Sequence, residues 1–371
     1  MDMAPQIRLT GRAAAAGLLV AVTGGCGLVT VPAATSTATA PPSLDGTATA
    51  PPSVTATPPQ AAPLPQEQAY MRVIAKVLPS IVQITTSKGL GSGIVYDSQG
   101  HILTNAHVVG QAKEFKVTLP SGGLAREARL VASYPLGDLA VIRVKDTGGL
   151  TPATFGDSTR LRVGQLVLAM GNPLGLSGSV TDGIISALGR TVTEPQGAGS
   201  PGATITSAIQ TSAAINPGNS GGALTDMAGQ VIGLPTLAAI VPELEGTAPG
   251  IGFAIPSSTA KDIADQIIRH GKVVNTHRAA LGVRVNTVIG PSGQPAGVGV
   301  AQVEPGGGAA KAGIRPGDVI TKINGTPTPT AAALTEILAT LRPGTQVQVE
   351  LIHPNGTTRT LTVTLGTLPS R

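Results

Sequence analysis

The chain has 371 residues, enough for two or three domains that each bury a core of their own. Hydrophobic residues make up 41% but aromatics only 2%, with no Trp and 49 Gly, so the cores must be Val, Ile, Leu and Ala joined by many tight turns. The net charge is +5 without any Lys/Arg run, which argues against a nucleic-acid surface, while one cysteine (Cys26) and five scattered histidines argue against disulfides, thiol chemistry and metal, so no cofactor is expected.

Arg8 and Arg12 precede an uncharged run from Ala13 to Thr23 and then Gly24-Gly25-Cys26. Residues 1–27 therefore read as a signal peptide, a lipoprotein leader or a membrane anchor. Export from the cytoplasm follows on all three readings. Residues 28–65 form a Pro/Thr/Ala-rich linker, from 33 on mostly Ala, Thr, Pro and Ser with hardly a charge and two copies of Thr-Ala-Pro-Pro-Ser, a composition that buries no core and acts as a spacer. From Gln66 to Leu78, Tyr70, Val73, Ile74 and Val77 fall at helical spacing. Short β-runs follow at Ile81–Ile84, Gly93–Tyr96, His101–Thr104, Phe115–Leu119, Arg129–Ser133, Val141–Val144, Leu166–Met170 and Gly183–Leu188, a spacing that points to a barrel or sandwich. A helix capped by Ser257 or Ser258, with Ile263, Ile267 and Ile268 on one face and Gly271 as its stop, closes this domain (66–273). In the last stretch (277–369) one helix carries Leu334, Ile337, Leu338 and Leu341, and Asn324-Gly325 and Asn355-Gly356 are turn signals.

Three segments carry chemistry. Thr104-Asn105-Ala106-His107-Val108-Val109 holds a candidate base, Asp138-Leu139-Ala140-Val141 a candidate orienting carboxylate, and Gly218-Asn219-Ser220-Gly221-Gly222 a candidate nucleophile. A serine hydroxyl attacks only when a base takes its proton, and a glycine-rich turn can aim amides at the oxyanion, here from Gly218, Asn219 and Ser220. Gly89-Leu90-Gly91-Ser92-Gly93 is no phosphate cradle, because a β-run and not a helix follows it.

Together with Gly171-Asn172-Pro173, Ile215–Gly222 and Ile251–Pro256, these segments resemble the HtrA/Deg family of trypsin-like serine proteases from about Tyr70 to Leu368. The resemblance implies a mainly β chain: a chymotrypsin-like double β-barrel followed by an α+β PDZ domain. It also implies a homotrimer and a PDZ carboxylate loop at Leu281, Gly282 and Val283. Loops 190–207 and 236–250 would adjust the oxyanion site. Substrate backbone is expected on the strand Gln230–Leu237, with Ile215, Leu234, Pro235 and Thr236 in contact. Two residues depart from the family pattern: Pro235 replaces Asn and cannot donate to a β-ladder, and Ser212 replaces Asp. Ala213, Ala214 and Ile215 before the nucleophile predict small or medium aliphatic P1 side chains.

The function expected is an ATP-independent endopeptidase of unfolded envelope proteins outside the cytoplasm, with C-terminal peptides bound at the PDZ domain. The alternatives are a PDZ-gated protease of one signalling substrate and a chaperone-like peptide-binding protein.

Overall fold

Alternation along each strand decides which barrel face a residue takes. The computed structural model describes residues 64–370 except 88, 173–177, 195–201, 217 and 242–245. The leader and nearly all of the spacer lie outside them. Helix α1 (Pro65–Val77) leads into a closed barrel of β1 (Ile81–Thr85), β2 (Leu90–Val95), β3 (His101–Thr104), β4 (Glu114–Thr118), β5 (Arg126–Tyr134) and β6 (Leu139–Val144), with the one-turn helix α2 (Ala106–Val109) after β3. A second closed barrel holds β7 (Leu166–Gly171), β8 (Ser179–Glu194), β9 (Ala203–Thr211), β10 (Ala223–Thr225), β11 (Val231–Val241) and β12 (Gly246–Pro256).

In β1, Val82 and Ile84 point into the first barrel with Ile102 and Ile142, whereas Ile81 points out. In β7, Val167 and Ala169 fill the second barrel while Leu168 and Met170 point out. The outward set (Ile81, Leu103, Val141, Leu168, Met170, Leu234 and Ile255) forms a third core between the barrels. Val73 and Val77 of α1 and Ile263 and Ile267 of α3 (Ser257–His270) seal it, each buried aliphatic contributing about 1.5–3 kcal/mol. Neither Ser257 nor Ser258 caps α3. Pro256 is its N-cap, Ser257 Oγ donates to Gly156 O, and Ser158 Oγ accepts from the Ser258 amide. Gly271 ends the helix at φ 69, as expected.

The last domain has β13 (Ala279–Ala280), β14 (Val283–Ile289), β15 (Pro295–Val303), α4 (Gly308–Ala312), β16 (Val319–Ile323), β17 (Thr326–Pro327), α5 (Ala331–Ala339), β18 (Gln346–Ile352), β19 (Thr358–Thr364) and β20 (Gly366–Thr367). Its main sheet runs β14-β15-β16-β18-β19, so β14 is an edge strand. Asn324 (φ 48) and Gly325 (φ 78) form the expected tight hairpin. The incoming and outgoing ends are stitched together: β13 pairs with β20, the Leu368 amide donates to Arg278 O (2.7 Å), Thr276 Oγ1 to Leu368 O (2.6 Å), and Ser370 Oγ to Val273 O (2.5 Å). Among the described residues no helix is long and apolar enough to cross a membrane.

Candidate active site

Antiparallel pairing of β3 with β6 sets Thr104 opposite Ala140, and so brings the residues just after β3 beside those just before β6. Asn105 is the N-cap of α2, and its Nδ2 donates to Asp138 O (2.9 Å). Asp138 sits in the left-handed region (φ 53) after a tight turn at Pro135–Gly137 and is 1% exposed. Its carboxylate accepts the His107 amide (3.0 Å), contacts His107 Nδ1 at 3.0 and 2.9 Å, and accepts the Thr236 hydroxyl. A buried carboxylate held by this many donors has one orientation and fixes that of the imidazole.

The serine arrives from the other barrel, on the turn between β9 and β10. Ser220 is half-buried, and its hydroxyl lies 3.4 Å from Thr236 O. The turn is tightly seated. A Cβ on Gly221, at φ 78, would stand 2.3 Å from Ser92 O and 2.5 Å from Thr104 Oγ1, so no other residue fits there. Among the described residues neither the Gly218 nor the Ser220 amide donates a hydrogen bond. Gly218 holds φ 110, which favours glycine. Asn219 is a correction: its amide donates to Asn216 O, its Oδ1 accepts the Asn216 amide and its Nδ2 donates to Ala214 O, so it braces the turn and offers no oxyanion donor.

The expected substrate contacts need revision as well. Leu234 is 0% exposed in the inter-barrel core, out of reach of substrate. Thr236 is 4% exposed, with its side chain on Asp138. The early part of β11 has β10 on one side and β12 on the other, Gly233 pairing with both, so an open edge begins only beyond it. Pro235 carbonyl accepts the Gly221 amide (3.1 Å), and its nitrogen faces that same edge, so the missing N–H costs no bond to β12. Just after Pro235 the β11–β12 register slips, a bulge that turns Thr236 toward Asp138 and Ser220. Ser212 exchanges bonds with Ile184, its amide donating to Ile184 O and its Oγ accepting the Ile184 amide. Ile215, 7% exposed, packs against Gly252, where any Cβ would meet it at 2.4 Å.

Sequence reasoning passed over Ser92, Asn105 and the side-chain role of Thr236. Ser92 was legible only as part of a glycine-rich run. In the last domain, Leu281 O accepts the Ala309 amide and Gly282 O the Glu304 amide, while the Leu281 and Gly282 amides make no hydrogen bond among the described residues. They stand at the head of β14, the open edge strand. Arg278, just before that domain, donates Nη1 to Leu136 O (2.9 Å), inside the turn that leads to Asp138. Burial raises the pKa of the neighbouring Tyr134 phenol, and the Arg278 charge opposes the rise. Among the described residues no His/Cys/Asp/Glu group could hold a metal ion.

Residues 91–234 match the trypsin-like peptidase domain family and residues 279–365 the PDZ domain family. The chain is 42% identical over 311 residues to serine protease PepD of Mycobacterium tuberculosis, covering 80% of this chain and 65% of that protein. It is 39% identical to the periplasmic pH-dependent serine endoprotease DegQ of Escherichia coli, covering 76% of this chain and 60% of the relative. The chain thus spans somewhat under two thirds of the length of these curated relatives. Among solved structures, the HtrA-type protease AlgW with decapeptide superposes with TM-score 0.55 at 33% identity, covering 81% of this chain and 99% of that one.

Proposed function

The chain belongs to the HtrA-type family of trypsin-like serine proteases with a PDZ domain, and from that premise we propose that it is a serine endopeptidase of unfolded or damaged proteins, working outside the cytoplasm. The observation that carries this reading is the convergence of His107 from α2 and Thr236 from β11 on the buried carboxylate of Asp138, with the Ser220 hydroxyl on the same threonine's carbonyl. His107 takes the Ser220 proton as the hydroxyl attacks the peptide carbonyl, then returns it to the leaving amine. Asp138 holds the imidazole and stabilises its protonated form. The amides of Gly218 and Ser220 receive the oxyanion, each such donor supporting about 3–4 kcal/mol of transition-state stabilisation. Ile215 sets an apolar P1 pocket for small or medium aliphatic side chains.

The Leu281 and Gly282 amides receive a peptide C-terminal carboxylate while the peptide adds to the β14 edge. The family resemblance supports assembly as a trimer through the α1 segment, where Leu64 and Met71 are exposed. The basic–apolar leader supports export, with the protease held beyond the membrane on its Pro/Thr/Ala spacer. The periplasmic names of relatives such as DegQ agree with that location.

Purified residues 66–371 are expected to degrade unfolded casein, and Ser220→Ala to abolish degradation without altering the circular dichroism spectrum. Equal degradation by the two proteins would remove Ser220 as the nucleophile.

A further inference from the structure

Ser92, on β2 of the first barrel, is fully buried and bonds the nucleophile turn of the second barrel through two of its atoms. Its amide donates to Ser220 O (3.1 Å). Its Oγ donates to Gly218 O (2.5 Å) and accepts the Asn172 amide (2.8 Å), while its carbonyl accepts Thr104 Oγ1 (2.7 Å), three residues before His107. One side chain thus links the oxyanion glycine to the end of β7, and its backbone links the nucleophile to β3, the strand that leads into the base's helix.

We propose that Ser92 is a positioning residue that holds the oxyanion turn in its working conformation; the inference rests on the serine-protease reading above. Gly218, at φ 110, has no side chain to restrict it, so the direction of its amide depends on what anchors its peptide groups. The Gly218 carbonyl end is fixed by Ser92 Oγ, and the following amide, that of Asn219, by Asn216 O. With both ends of the 218–219 peptide tied, only the glycine's own φ and ψ aim the Gly218 N–H, and at φ 110 that amide has no partner among the described residues and is available to an incoming oxygen. The Ser92 N–H on Ser220 O ties the peptide just after the nucleophile, whose other end, the Gly221 amide, is held by Pro235 O. Without the Ser92 hydroxyl, the Gly218 carbonyl loses its anchor and the glycine is free to turn its amide away. The alcohol here is a bolt across the two barrels, placed at a residue of the turn with no side chain to hold it.

The test compares wild type, Ser92→Ala and Ser92→Thr in peptide cleavage and in inhibition by a peptide boronate, whose tetrahedral adduct places an oxygen where the oxyanion forms. Ser92→Ala is expected to lower kcat by about 100-fold, the scale of an ångström-level misplacement, and to leave KM within about twofold. Boronate affinity falls by a similar factor, while Ser92→Thr, which keeps the hydroxyl, recovers most of both. A Ser92→Ala enzyme with wild-type kcat and boronate affinity overturns the proposal, as does a loss that appears only in KM. Should Ser92→Ala not fold, Ser92→Cys fills the same volume with a poor donor and is held to the same outcomes. A wild type that neither cleaves nor binds boronate sinks the serine-nucleophile reading instead, a result distinct from a wild type that does both and is matched by its variant.

Discussion

Replacing Thr236 by Val isolates the hydroxyl that bridges the two barrels at Asp138. The side chain is 4% exposed and its hydroxyl donates to a carboxylate that is itself 1% exposed, so water cannot replace the bond. A hydrogen bond to a charged group contributes about 1.5–3 kcal/mol, and the added methyl recovers at most about 0.8 kcal/mol. The expected net loss in protease-domain stability is therefore about 1–2 kcal/mol, read as a lower denaturation midpoint by circular dichroism. The bond exists before and during reaction, so only its change toward the transition state reaches the rate, and kcat should fall modestly, by about three- to tenfold. Because the threonine acts through the carboxylate, the same change made in an Asp138→Asn background should have a clearly smaller effect on both readouts. Equal effects in the two backgrounds would refute the reasoning, as would an unchanged midpoint together with an unchanged kcat.

Ile215→Ala removes the side chain that meets Gly252, so P1 preference should move from Val or Ala toward Leu or Phe, with kcat/KM ratios shifting by about tenfold or more; a profile of P1-varied peptides reads this, and an unchanged ranking would take Ile215 out of the pocket. The Asp157 carboxyl lies below its ordinary value because the Thr159 hydroxyl and amide donate to it. A depressed folded value means its contribution is complete above the unfolded pKa of 3.8 and is lost as pH falls through the lower folded one. Asp157→Asn should therefore flatten part of the acid-side decline in stability below that point. Parallel decline of the two proteins in acid would show that the Thr159 contacts do not matter.

The sequence revealed what lies within single segments and lost what arises between them. The strands were readable because Val, Ile and Leu alternate in short runs, and β3 fell at its observed bounds, His101–Thr104. The three catalytic candidates were visible because each sits in a motif with its own backbone demands. Leu234 was misjudged as a substrate contact because a strand residue's face depends on which barrel packs against it. The cap of α3 was misassigned because the hydroxyl that serves its first turn comes from Ser158, about a hundred residues earlier. Ser92 and Thr236 were opaque for the same reason: their partners lie on the other barrel, and a lone Ser or Thr on a strand carries no local mark of such a bond.

The stitching of the last domain's two ends has a mechanical consequence. Its first and last strands pair with one another, and Thr276, Arg278 and Ser370 tie the flanking chain across the same short span. Tension applied at the C-terminal end would therefore be borne by a two-residue clasp and a few hydroxyl bonds, upstream of the main sheet. The same geometry makes the domain a cassette: both cut points lie side by side, so a different peptide-binding module with paired ends could be grafted there without rebuilding the barrels.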